Sequence, residues 1–210
     1  MIQLDYTLIY TSLILGVVFL ILFSYKNKAL RINEPISFFI WYTIISIIWE
    51  LNSALVLANP TFGFQFYFVL EVLALYYFYN RLLHPSYKKS LRVFLGIMLV
   101  AYGISFIFWN GGSSLISDTI NRITLTTFVL YFSFLWFAEL FRKMEISKPW
   151  KDATFYFVSG FFIYYSSTFF LFLLGEFIFS TEFYLNYWLV NLITKLLLRV
   201  LLIIGVWKLK

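Results

Sequence analysis

The sequence has no cysteine, a single histidine and only four prolines in 210 residues. Without cysteine there can be no disulfide, no thiolate nucleophile and no cysteine metal ligand. His84 stands alone in His84-Pro85-Ser86, with no cluster of further ligands, so it reads as a loop residue rather than a metal ligand. No Gly-x-Ser-x-Gly element or Ser-His-acid set accompanies it, and no glycine-rich phosphate loop occurs. Gly111-Gly112, followed by Ser113-Ser114, reads as an outer turn. The aspartates Asp5, Asp118 and Asp152 all fall at segment ends, which leaves no aspartate pair for intramembrane hydrolysis. Charge itself is scarce, at 12% of residues against about 25% in soluble domains. These absences argue against an enzyme, a metal site and a bound cofactor.

What fills the chain instead is apolar and aromatic: 62% and 24% of residues, with a mean hydropathy of +0.85. A water-soluble fold of this size could not hide so much apolar surface, so lipid must be the solvent. One helical crossing takes about 20 apolar residues, and seven such segments follow one another. They lie near 6–24, 36–58, 62–83, 91–109, 119–141, 153–175 and 184–207. The expected fold is therefore all-α: a single transmembrane domain over 1–210, a seven-helix bundle with little room for a soluble domain. Turn signals separate the segments at Glu34-Pro35, Asn59-Pro60, His84-Pro85, Asn110-Gly111-Gly112, Lys148-Pro149 and Gly175 to Thr181. Met1 to Tyr6 carries no positive charge, so the first segment reads as a retained helix rather than a cleaved signal.

Basic residues set the expected orientation. Lys26, Lys28 and Arg31 follow helix 1; Arg81, Lys88, Lys89 and Arg92 precede helix 4; Arg142, Lys143, Lys148 and Lys151 precede helix 6; Lys208 and Lys210 end the chain. With seven crossings all of these share one face, leaving Arg122, Asp5, Asp118, Glu176 and Glu182 on the other. The N-terminus is then outside and the C-terminus cytoplasmic, in a multi-pass protein of the cytoplasmic (inner) membrane. Asp118 and Arg122 read as an i,i+4 pair opening helix 5. The net charge of +6 lies beside hydrophobic segments, where it suits topology and anionic headgroups; no nucleic-acid face is separate from it. Trp41-Tyr42, Trp109, Trp136, Trp150, Tyr184, Tyr187-Trp188 and Trp207 read as interfacial belts.

Function must be sought among polar groups at membrane depth, where an unpaired charge costs several kcal/mol. Asn191, Lys195 and Arg199 are spaced by four and stack on one face of helix 7. Glu50 and Glu71 lie at comparable depth in helices 2 and 3, and the acids are expected to compensate the bases. Supporting stripes are Thr43, Ser46, Glu50 and Ser53 on helix 2, Asn121, Thr124, Thr127 and Tyr131 on helix 5, and Ser159 with Ser166 on helix 6. All are expected to face the bundle interior, because lipid cannot satisfy them. The charges form either an ion-pair network that fixes packing or a polar cavity open to the outer leaflet.

A mid-membrane Lys195 and a helix 3 carboxylate, Glu71, are similar to the retinal pair of microbial rhodopsins. The chain departs from that family at Asn191, where an acid is required, and in lacking the Asp-Trp, Thr-Thr-Pro and Trp-x-x-Tyr-Pro elements. No retinal is expected. Tyr67-x-x-x-Glu71, the run Tyr76-Tyr77-Phe78-Tyr79 and Trp188-x-x-Asn191-x-x-x-Lys195 more closely resemble small seven-helix membrane proteins of Bacteroidota. That resemblance implies topology rather than an activity. The expected function is a non-enzymatic receptor- or sensor-like bundle that binds a small ligand or relays a signal. Its partner would be a separate protein at basic loops 81–92 and 142–151, or a second copy of the chain. The alternatives are a small transporter or oligomeric channel, and an accessory subunit with a purely structural ion-pair network.

Overall fold

The computed structural model describes residues 2–30, 35–54, 60–109, 115–143, 149–174 and 184–209, with side chains left out for 2–6, 27–30, 49–54, 60–64, 115, 143 and 184–188. Seven α-helices occur among them: α1 (Ile2–Leu30), α2 (Ser37–Ala54), α3 (Pro60–Leu82), α4 (Lys88–Ile107), α5 (Leu115–Lys143), α6 (Ala153–Leu173) and α7 (Tyr184–Lys208). No strand is present among the described residues. The turns expected at 31–34, 55–59, 110–114, 144–148 and 175–183 lie outside them.

Local chemistry explains the ends that are described. Pro60 occupies the first position of α3, where its missing N–H costs nothing. Pro85 and Pro149 open 3-10 turns, Pro85–Tyr87 and Pro149–Lys151, ahead of α4 and α6. Asp152 caps α6, its carboxylate accepting the Thr154 backbone N–H at 3.1 Å. α1 and α5 run several residues past the segments expected from hydropathy. Apolarity marks only the stretch in hydrocarbon, whereas backbone hydrogen bonding carries the helix on into the headgroups.

Among the described residues, five helices are long and apolar enough to cross a membrane: the stretches Thr7–Lys26, Pro85–Ile107, Ile116–Arg142, Ala153–Leu173 and Leu189–Lys208. Within the described side chains, the apolar stretch of α2 covers Ser37–Ile48. α3 is diluted by Gln65, Glu71, Asn80, Arg81 and its tyrosines. The packing accounts for this. Each helix lies against its sequence neighbours, and α7 closes the ring against α1. α3 is pressed inward: Tyr67, Phe68, Glu71, Val72, Ala74, Leu75, Phe78 and Tyr79 are all buried. A helix that faces protein more than lipid can carry polar groups that a lipid-facing helix cannot. α4 shows the reverse, with Val93, Ile97, Leu99, Val100, Ile104 and Ile107 exposed.

α1 and α7 run parallel, because Lys26 donates to the Leu209 carbonyl at 2.8 Å while Gly16 abuts Arg199 ten residues earlier on both helices. The start of α1 and the end of α7 therefore sit at opposite ends of the bundle. The core is aromatic: Phe78 meets Phe161 edge-on at 5.1 Å, Tyr79 meets Phe128 at 5.7 Å, and Phe39 meets Phe161 at 4.7 Å. Trp136, expected in an interfacial belt, is buried in this core, whereas Trp41, Trp150 and Trp207 are exposed.

Lipid gives apolar side chains no reason to leave it, so close backbone approach and polar bonds must hold the helices together. A Cβ on Gly160 would lie 3.1 Å from Leu198, and one on Gly205 would run into the Phe157 ring. The α6–α7 contact thus depends on glycine. Gly103 on α4 has nothing within 4 Å of such a Cβ. Gly205→Ala is expected to lower the unfolding temperature in detergent, whereas Gly103→Ala should leave it unchanged or raise it by the equivalent of about 0.5–1 kcal/mol. Equal effects from the two variants would contradict this packing.

Candidate functional site

The polar centre is built around Glu71, which is fully buried in the middle of α3. Its Oε2 takes an ion-paired hydrogen bond from Arg122 of α5 at 2.7 Å. Its Oε1 accepts the hydroxyls of Tyr165 of α6 at 2.6 Å and Tyr42 of α2 at 3.1 Å. The Tyr67 hydroxyl donates in turn to that of Tyr42. The guanidinium of Arg122 also lies over the Phe172 ring of α6, 5.3 Å from its centroid. One carboxylate thus joins four helices, with three donors satisfying its charge.

The sequence expectation paired the membrane acids with Lys195 and Arg199. The structure corrects this for Glu71, whose cation is Arg122. Sequence spacing instead pairs Arg122 with Asp118 at the start of α5. Because α5 begins at Leu115, Arg122 lies about two turns inside the helix, and its long side chain reaches Glu71. A signal is present: the buried stripe Leu125, Val129, Phe132 and Trp136, extended at helical spacing towards the start of α5, passes through Arg122. The tyrosines were hidden by their number, sixteen in the chain, and by the interfacial role that most Tyr residues have in membranes. Tyr42 in particular is a core residue, not part of a belt.

Arg199 is buried on α7 and donates through Nη2 to Ser46 Oγ of α2 at 3.1 Å. Gly16 makes room for it, since a Cβ there would collide with the guanidinium. Asn191 Oδ1 accepts the Tyr164 hydroxyl of α6 at 3.3 Å. Thr43 is buried and donates to the Phe39 carbonyl at 2.8 Å. Between these groups lies a cavity of about 10 Å³, lined by Tyr42, Thr43, Ser46, Tyr164, Lys195 and Arg199 with Phe39, Leu198 and Leu202. That is the room of one water molecule. Tyr42 both lines this cavity and donates to Glu71. The side chains of Glu50 and Ser53 lie outside the described residues, as do those of Tyr184, Tyr187 and Trp188.

The expected stripe on α5 faces elsewhere. Asn121 is buried, but Thr124 is only half-buried, and Thr127 and Tyr131 are exposed. The two threonines bond back to the Ile120 and Ile123 carbonyls at 2.8 and 2.9 Å, so their hydroxyls tolerate lipid. Tyr131 stacks on Phe94 of α4, centroids 5.2 Å apart. Ser159 and Ser166 are half-buried beside the inward face that Tyr164, Tyr165 and Thr168 occupy, and Ser166 bonds to its own helix at Ile163. Three further hydrogen bonds join α3 to α5. Gln65 of α3 donates to Ser117 at 2.9 Å and accepts from Asn121 at 3.1 Å, and Tyr79 meets Ser133 at 2.6 Å.

Glu71→Gln or Arg122→Met alone should cost about 3–5 kcal/mol, because each strands a buried charge. The double variant should be less destabilised than the sum of the two, a coupling that unfolding measured across the four-protein cycle will show. Tyr165→Phe, which removes one donor from a buried carboxylate, should cost about 1–3 kcal/mol in the same assay. Additive losses in the cycle would refute the ion pair. No known family, curated protein or solved structure matches the chain, so its function has to be argued from these residues alone.

Proposed function

We propose that the chain is a non-enzymatic seven-span protein of the cytoplasmic membrane, N-terminus outside, whose polar core receives a small ligand and passes the event to a separate protein. Tyr42 carries this reading. It lines the small cavity on one side and donates to Glu71 on the other, and Glu71 holds α3 to α5 and α6. An occupant that draws the Tyr42 hydroxyl away weakens the bond set that fixes those helices relative to one another. A ligand shifts a bundle only as far as its affinity differs between two arrangements. A shared hydroxyl supplies such a difference. The basic loops 81–92 and 142–151 are the surface through which a partner would sense the shift, by charge complementarity.

The span count and orientation are open to direct measurement, because the chain has no cysteine to remove first. Single variants Lys88→Cys and Lys151→Cys should react with impermeant maleimide only after the inner face is exposed. Ser113→Cys should react in intact cells. Labelling of Lys88→Cys from outside would overturn the topology. For the function, a thermal-shift screen of amino acids, amines and small anions should give a stabilisation that Lys195→Met or Tyr42→Phe abolishes while both proteins remain folded. Proteoliposomes should pass no proton, ion or screened solute. Uptake or current that Lys195→Met removes would establish transport instead.

A further inference from the structure

We propose that the outer face of α4 holds one anionic phospholipid, its headgroup on Lys88, Lys89 and Arg92 and an acyl chain along the helix below them. This goes beyond the ligand-receiving reading and does not depend on it. The whole turn from α3 into α4 is described, and Arg81, Lys88, Lys89 and Arg92 are exposed on it. No acidic residue occurs in the sequence between Glu71 and Asp118. Among the described residues only Arg122 and Glu71 form an ion pair, so these four cations meet no carboxylate there. Glu139, half-buried in the last turns of α5, leaves them unpaired as well. Glu34 and Glu145 lie outside the described residues. Arg81 is engaged by the Tyr77 hydroxyl, at 3.0 and 2.7 Å. Arg92 reaches only the Lys88 carbonyl, at 3.4 Å, and Lys88 and Lys89 make no side-chain hydrogen bond among the described residues.

Helical spacing turns these cations away from the protein. The buried line of α4 is Leu91, Met98 and Ser105. Arg92, Gly96, Leu99, Gly103 and Phe106, spaced four, three, four and three, form another line, and all five are exposed. Lys88 and Lys89 stand one turn before Arg92, at its head. Charge at one end of a bare apolar line is the complement of a phospholipid, anionic at the headgroup and apolar below it. The first turn of α4 also carries no acid and no side-chain cap that would compete for a phosphate. This face looks sideways into lipid, so it is separate from the exposed His84, Pro85 and Ser86 at the end of the bundle, which stay open to a protein partner.

The length of the line suits a lipid chain. From Arg92 to Gly103 is about 16 Å at 1.5 Å of rise per residue, close to one leaflet of a hydrocarbon core about 30 Å thick. Its surface suits one too. A Cβ on Gly96 or Gly103 would have nothing within 4 Å, whereas one on Gly16, Gly160 or Gly205 would meet a neighbouring side chain. The two glycines of α4 therefore make no room for another helix of this chain. They recess the surface on either side of Leu99, so that an acyl chain can lie against the backbone.

The test is native mass spectrometry and thermal unfolding of the detergent-purified protein, with dioleoylphosphatidylglycerol titrated against dioleoylphosphatidylcholine. One phosphatidylglycerol should bind saturably and raise the unfolding midpoint by several degrees, and phosphatidylcholine at equal concentration should do neither. The double variant Lys88→Gln with Arg92→Gln should raise the half-saturating concentration about tenfold or more. Lys151→Gln with Lys208→Gln removes equal charge at the same end of the bundle and should change it by less than about twofold. Gly103→Leu, which fills the path of the chain, should raise it several-fold without lowering the midpoint of the lipid-free protein. Inorganic phosphate, which has no chain, should give no shift at concentrations that saturate the lipid. Equal weakening by the two double variants would show a diffuse attraction and overturn the site. Equal binding of the two lipids, or a phosphate shift as large as the lipid's, would overturn it too. A dimer that Gly103→Leu dissociates would assign the face to a second copy of the chain instead.

Discussion

Glu71 is the constraint on which the rest of the bundle depends. A carboxylate buried in the middle of an apolar helical bundle must be paired or neutralised, since its apolar neighbours offer it nothing. Here it takes Arg122 from α5, Tyr165 from α6 and Tyr42 from α2. Each bond fixes the rotation of one helix about its own axis. Once those rotations are set, the apolar faces of α3, α5 and α6 can meet only in one register. The aromatic contacts Phe78–Phe161 and Tyr79–Phe128 lie on the same inward faces.

The second organising influence is the solvent. In lipid, packing and polar bonds replace the hydrophobic effect between helices. Glycines at Gly160, Gly205 and Gly16 appear where backbones or a guanidinium come close, while Gly103 faces open space. Threonines near lipid, such as Thr127, satisfy themselves on their own helix. Polar groups that must reach a partner cluster on α3 and on the helices touching it, at Gln65, Glu71 and Tyr79. The polar content of α3 is a consequence of its central place.

A second polar group sits beside the first. Arg199 with Ser46, and Asn191 with Tyr164, join α7 to α2 and α6. Tyr42 belongs to both groups. One phenol thus lies against both, donating to Glu71 and lining the cavity beside Arg199.

Composition alone determined that the chain is helical and apolar enough for a membrane, and Pro60, Pro85, Pro149 and Asp152 marked helix starts that local backbone chemistry dictates. The heights of Glu71, Lys195 and Arg199 along their own helices follow from the sequence too, because rise per residue converts sequence position into height. Which cation meets which acid does not. Height says nothing about azimuth, and the choice of Arg122 over Lys195 follows from how α5 is rotated against α3. The same reason explains Thr127 and Tyr131, polar by composition yet turned outward. It also explains Tyr42, Tyr67 and Tyr165, which only the packed bundle distinguishes from the other tyrosines, since a phenol becomes a core ligand when a buried carboxylate is placed within its reach.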